Sequence, residues 1–172
     1  MALRNIVTVG DPVLTKVCRP VTKFDDRLAQ LLDDMIQTLH EANGAGLAAP
    51  QIGILRRVVV INTEGEDWEL VNPEIVEVSE EQQTGIEGCL SLPGKWGLVT
   101  RPEYAKVRAQ DRHGDWYEYE GEDLTARCFL HEIDHLDGHM YTEFAEKMLT
   151  QEELDELLKQ EQEAEEGEET EA

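Results

Sequence analysis

The chain has 172 residues, enough for one domain with a single sizeable core. Hydrophobic residues make up 40% of it, but no run reaches the roughly 18 consecutive apolar residues of a membrane span, so a membrane protein is not expected. The net charge of −23 repels phosphate backbones, so direct nucleic-acid binding is not expected either.

The first residues, Met1 to Val7, show neither a signal-peptide core nor an Arg- and Ser-rich transit pattern, and the protein is expected to stay in the compartment where it is made. Residues 1–24 read as an extended entry punctuated by Gly10-Asp11-Pro12 and Arg19-Pro20. From Asp25 to Ala42, Leu28, Leu31, Leu32, Met35, Ile36 and Leu39 recur at helical spacing, with Asp25 or Asp26 to cap the start and Asn43-Gly44 to stop it. Gly44 to Gln51 is too rich in small residues for an ordinary strand. Arg57 to Asn62 reads as a buried strand, and Leu70 to Val78 as another, broken near Pro73. Ala105 to Ala109, the turn Arg112-His113-Gly114-Asp115, and Trp116 to Tyr119 predict a hairpin. A helix follows from Glu122 to about Leu136, and a last one starts near Thr150 on Leu154, Leu157 and Leu158.

Between Gln151 and Ala172 stand eleven acidic residues and one base, Lys159. This segment is expected to dissolve into a disordered, solvated tail from about Glu161. Three cysteines, Cys18, Cys89 and Cys128, without a CxxC pair argue against a disulfide scaffold and fit a reducing compartment. Helix, strands and helix, with hairpin signals in place of alternating βαβ units, give an α+β fold: one domain of mostly antiparallel strands around the second helix, plus a C-terminal helix and acidic tail. The expected division is a catalytic domain over 1–160 and the tail over 161–172.

The chemistry lies in His131-Glu132-Ile133-Asp134-His135, an HExxH motif. On a helix, positions four apart share a face, so two imidazoles can converge on one metal ion while Glu132 reaches a water beside it. Two inward-facing histidines next to a glutamate are costly unless something pairs with them, and a metal meets that need. A catalytic metal usually takes three protein ligands. His139 and a downstream glutamate are both open as the third. Cys89 is the better candidate, since its glycine-flanked, non-helical segment can approach a helix face closely.

Three segments, Gly44-Ala45-Gly46-Leu47-Ala48-Ala49-Pro50-Gln51, Glu87-Gly88-Cys89-Leu90-Ser91 and His131 to His135, together resemble the peptide deformylase signature in order and spacing. Gly10 to Leu14 and Arg101 add to the likeness, which covers roughly residues 2–148. The resemblance implies a metal-dependent hydrolase that removes the N-formyl group from the N-terminal formylmethionine of nascent polypeptides. It implies one divalent ion held by Cys89, His131 and His135, with Fe²⁺ expected and Ni²⁺ or Zn²⁺ able to replace it. It gives Glu132 the role of general base and acid, and the Gln51 side-chain amide with the Leu90 backbone N–H that of oxyanion donors. Gly44, Ala45 and Gly46 would form an extended edge pairing with the substrate backbone. Ile86, Leu124, Cys128 and the histidine helix would form the methionine pocket, with Arg101 near its mouth, and Gly88 and Arg127 are further expected substrate-binding residues.

The chain departs from the family pattern in four places. Leu130 replaces a frequent glutamine, Arg127 a common apolar pocket residue expected to alter the cleft rim, and Ala45 a usual Ile or Val. Some bacterial deformylases dock on ribosomal RNA through a basic C-terminal helix; an acidic segment makes ribosome contact by that route unexpected here. A cytoplasmic location in a bacterial-type cell is expected. A metalloprotease would leave Cys89 and the Gly44–Gln51 segment idle, a structural metal module would have no use for Glu132, and an enzyme for another N-acyl substrate stays open through Arg127 and Ala45.

Overall fold

The computed structural model describes residues 2–171. Helix α1, Asp26–Ala42, begins where Asp25 accepts a hydrogen bond from the Leu28 backbone N–H (3.1 Å). It ends at Asn43, which turns left-handed at φ 53°. The glycine-rich segment after it resolves into a short strand β1, Gly46–Ala48, and a 3₁₀ turn over Ala49–Ile52.

Strands β2 (Val58–Ile61), β3 (Trp68–Val78), β4 (Gln82–Cys89), β5 (Leu92–Pro102), β6 (Tyr104–Gln110) and β7 (Trp116–Glu122) follow. Helix α2 spans Asp123–Leu136, strand β8 Ala145–Met148 and helix α3 Gln151–Glu171. An antiparallel sheet runs in the order β1-β2-β3-β6-β7, and a second in the order β4-β5-β8. The expected hairpin is β6–β7.

Strand β2 shows why an uninterrupted apolar run belongs in the centre. Val58 and Val60 pack with Leu28, Leu32 and Met35 of α1, while Val59 and Ile61 face Phe129 and Ile133 of α2. Side chains alternate along a strand, so a sheet covered on both faces needs apolar residues at every position. Each buried leucine-sized side chain contributes about 1.5–3 kcal/mol. Residues Leu28, Leu31, Leu32, Met35 and Leu39 therefore hold α1 to the sheet. Near Pro73, β3 is continuous, but its pairing with β6 shifts between Val71 and Glu74, around a left-handed Asn72 (φ 51°). The break expected there is a bulge.

The second sheet was not foreseen. Strand β4 carries Gly85 and Gly88, and β5 carries Pro93, Gly94 and Gly97, residues depleted in strands. Their pairing, from Gln82↔Pro102 to Cys89↔Leu92, holds them extended despite that composition. The sequence pattern also predicted disorder from Glu161, whereas α3 continues through Glu171. Glu, Gln and Ala are strong helix formers, and Gln160 donates to Glu156 one turn back (3.2 Å). Among the described residues of this helix only Leu154 is buried, however, so no packing is seen along its far half. Among the described residues, no helix is long and apolar enough to cross a membrane.

Candidate active site and metal centre

Helix α2 presents His131, Glu132 and His135 inward, and Cys89 meets them from the end of β4. One ligand atom from each of Cys89, His131 and His135 lies within 4.8 Å of the others. The Cys89 Sγ is 3.3 Å from His135 Nε2. His131 donates from Nδ1 to Glu87 Oε1 (2.8 Å), which fixes its ring and leaves Nε2 available for the cluster. Its ring also stacks on Tyr141 at 5.7 Å between centroids. One thiolate and two imidazoles suit a borderline divalent ion, and three protein ligands leave a position open for chemistry. The residues present therefore fit a catalytic metal.

Glu132 is buried, and its Oε2 has no hydrogen-bond partner among the described residues. Burial is the main reason its carboxyl is pushed up to about 7; the charge of His131 opposes the rise and that of Glu87 adds to it. Such a group is poised to exchange protons near neutral pH. Gln51, also buried, has its amide held in one orientation. Its Oε1 accepts from the Ala48 N–H (2.9 Å), so Nε2 points to Cys89 Sγ (3.4 Å) and Ser91 Oγ (3.2 Å).

Behind the histidines lies a buried ion network. Glu87 accepts from Arg101 Nε (2.6 Å) and Nη2 (2.9 Å), from Arg127 Nη1 and from His131. Arg101 also donates to Asp134 (3.0 Å). Burial alone would raise the Glu87 carboxyl, but the bonds from His131 and Arg101 outweigh it and hold the group down at about 2.

A cleft of about 460 Å³ opens beside this cluster. Gly44, Ala45 and Gly46 form one wall and Ile86, Gly88 and Leu90 another. Among the described residues strand β1 pairs only with β2, so its other edge is unpaired there and borders the cleft. Gly46 is needed for contact: a Cβ there would lie 2.7 Å from Cys128 Sγ and 2.8 Å from Glu132 Cγ.

Known proteins match this arrangement closely. A family model described as polypeptide deformylase matches residues 3–151. A peptide deformylase of Agathobacter rectalis is 56% identical over 149 residues, covering 87% of this chain and 94% of that protein. One from Caldicellulosiruptor bescii is 51% identical over 155 residues, covering 90% and 93%. The crystal structure of the peptide deformylase from Thermotoga maritima superposes with a TM-score of 0.83 at 39% identity, covering 86% of this chain and all of that one. The chain belongs to the polypeptide deformylase family.

Against that family pattern, most residues singled out in the sequence converge. Cys89, His131, Glu132, Leu90, Ile86, Gly88, Leu124, Arg127, Cys128 and the Gly44–Gly46 edge all line the cleft. Two placements differ from expectation. Arg101 is not at the cleft mouth; it is buried behind the histidines, drawn in by Glu87 and Asp134. Arg127 does not shape a rim. Its guanidinium turns inward to Glu87 and the Val99 carbonyl (2.9 Å), because a buried carboxylate is a better partner than solvent at that depth. His139, the alternative third ligand, is exposed, bonds Glu143 and stands outside the metal cluster.

The sequence reading missed Glu87 as a functional residue, although strand alternation places it on the same side as Cys89, two positions later. It also missed the start of β5. There Leu92, Pro93, Lys95 and Trp96 close one end of the cleft, with the Trp96 ring lying on Gly88.

Proposed function

We propose that the cleft hydrolyses the formamide of N-formylmethionyl peptides, releasing formate and a free N-terminal amine. The observation that carries this reading is the meeting, in one cleft, of the Cys89–His131–His135 trio, the unpartnered carboxylate oxygen of Glu132 and the free edge of β1.

When bound, a divalent ion supplies Lewis acidity and makes a nucleophilic water available near neutral pH. Cys89, His131 and His135 hold it, and Glu87 keeps the His131 ring oriented. Glu132 takes the proton from the attacking water at its free oxygen and returns it to the departing amine nitrogen. As the formyl oxygen gains charge, the Gln51 amide and the Leu90 backbone N–H donate to it; each such donor is worth roughly 10²-fold in rate. The substrate backbone lies along Gly44–Gly46 as an added strand, with the methionine side chain entering the apolar part of the cleft beside Ile86, Leu124 and Cys128. The donor set accepts Fe²⁺, Ni²⁺ and Zn²⁺ alike; we assign Fe²⁺ from the family resemblance. Nascent chains in a bacterial-type cytoplasm are the substrate pool, and any ribosome contact is made by a surface other than acidic α3.

The test is turnover of formyl-Met-Ala-Ser by metal-loaded protein beside Glu132→Ala. Wild-type turnover should fall by about 10²- to 10⁴-fold in the variant at equal metal content. Absence of turnover in fully loaded wild type would refute the reading.

A further inference from the structure

Far from the catalytic cleft, the chain gathers positive charge in a way its composition opposes. A second cavity, about 650 Å³, is lined by eight residues, of which Arg19, Lys23, Arg27 and Arg56 are cations and only Asp25 is an acid. The whole chain has 15 Lys and Arg against 38 Asp and Glu. None of these four enters an ion pair among the described residues; Lys16, Lys95 and Lys159 are also unpaired there but do not line this cavity, whereas Arg4, Arg57, Arg101, Arg108, Arg112 and Arg127 are all paired.

The fold enforces this clustering. Arg19 and Arg56 form an isolated parallel bridge, fixed by Arg19 N–H to Leu55 O (3.1 Å) and Arg57 N–H to Arg19 O (3.0 Å). Bridged neighbours stand about 5 Å apart, so two guanidinium groups start from adjacent positions with no carboxylate between them. Asp25 caps α1, accepting from the Leu28 N–H, and it keeps its charge, as does Asp26 in the first turn; the lining itself still carries four cations against one carboxylate. Arg27 lies in the first turn of α1, the end of a helix dipole that disfavours a cation. Thr22 adds a hydroxyl to the lining. Like charges held together at the positive end of a helix cost stability unless an anion joins them.

We infer that this cavity binds a compact phosphate-bearing anion, of the size of pyrophosphate or a nucleoside diphosphate. Guanidinium groups match phosphate oxygens bidentately, which favours phosphate over a single carboxylate. Compactness follows from charge: the chain at −23 repels an extended polyanion, while a small one can sit wholly inside the local positive field. The site is separate from the catalytic cleft. Arg27 opens α1, and Asn43 and Gly44 at its other end line the cleft. Sixteen residues of helical rise put about 24 Å between them.

The experiment titrates pyrophosphate into zinc-loaded, full-length protein, following backbone amide NMR shifts, with metal content checked afterwards. Saturable shifts confined to residues 19–27 and 56–57 are expected. Arg19→Gln with Arg56→Gln should weaken binding by about tenfold or more, the value of a lost charge-assisted contact. Lys23→Gln with Arg27→Gln provides a second variant on the exposed helix start, and both should keep wild-type turnover of a formylated tripeptide. No saturation, or affinity unchanged in both variants, overturns the proposal. A single-stranded oligonucleotide binding these residues more tightly than pyrophosphate overturns the compact-ligand assignment. Because the readout is binding, failure here leaves the deformylase reading untouched.

Discussion

Replacing Glu87 by glutamine tests whether the ion network behind the histidines is what orders the metal centre. In the fold, Glu87 is buried, and four donor atoms from Arg101, Arg127 and His131 converge on its two oxygens. Its carboxyl is held at about 2 against an ordinary 4.5. That difference corresponds to about 3 kcal/mol of stability at neutral pH. A second route gives a similar figure: breaking a buried ion pair by removing one partner costs about 3–5 kcal/mol. Glutamine keeps the shape but not the charge, and its NH₂ faces guanidinium or imidazole donors that already need an acceptor. Arg101 keeps Asp134, while Arg127 is left with carbonyl partners only. Urea unfolding at pH 7 and matched metal content should therefore show Glu87→Gln destabilised by about 3 kcal/mol or more. A chelator challenge should strip its metal about 10- to 100-fold more readily, the usual cost of losing the partner that orients a ligand. The sign of the pH dependence follows from the depressed carboxyl. Its stabilisation is fully present above 4.5 and is lost as pH falls towards about 2, so the gap between wild type and variant should close over that window. A loss below about 1 kcal/mol with unchanged metal retention would refute the argument, because it would place the network among ion pairs that contribute little.

Gly46→Ala should lower turnover by about 10²-fold, since the added methyl must displace Glu132 or the edge strand, and displacements of about 1 Å are that costly. Gly44→Ala should be milder, because its methyl meets the movable end of Leu90; steady-state kinetics on both variants checks the contrast. Burial pushes the Cys18 thiol up to about 11, so iodoacetamide should leave it unmodified at pH 8 in folded protein and alkylate it after unfolding, as read by peptide mass spectrometry. Truncation after Gln160 should leave tripeptide turnover unchanged while lowering the far-UV helical signal by the share of residues 161–171; an unchanged signal would return that segment to the disordered state its charge suggests.

What the sequence disclosed and what it hid follow from the range of the interactions involved. Helix α1, strand β2 and the β6–β7 hairpin were legible because their signals are local: a capped 3.6-residue repeat, an unbroken apolar run, and alternation flanking a turn. The candidate metal-binding trio was partly local too, as His131 and His135 share a helix face, while proposing Cys89 needed the family resemblance because β4 joins it to α2 from far along the chain. Strands β4 and β5 were hidden because glycine and proline weaken their intrinsic signal and only pairing makes them extended.

Arg101 and Arg127 were misplaced for a related reason. From sequence, an arginine near a cleft reads as a solvent-facing cation; burial becomes affordable only when a carboxylate from another element is waiting, and Glu87 sits 14 and 40 positions away. The same non-local pairing makes these two arginines share one carboxylate, with Asp134 a second partner for Arg101 alone. Arg127→Met should then be tolerated far better than Glu87→Gln. It removes a cation that needs Glu87, whereas the glutamine change removes the anion that His131, Arg101 and Arg127 all need. If Arg127→Met instead destabilised the fold and released metal as severely as Glu87→Gln, the two arginines would have to be counted as equal anchors of Glu87, and the orientation of His131 would depend on both.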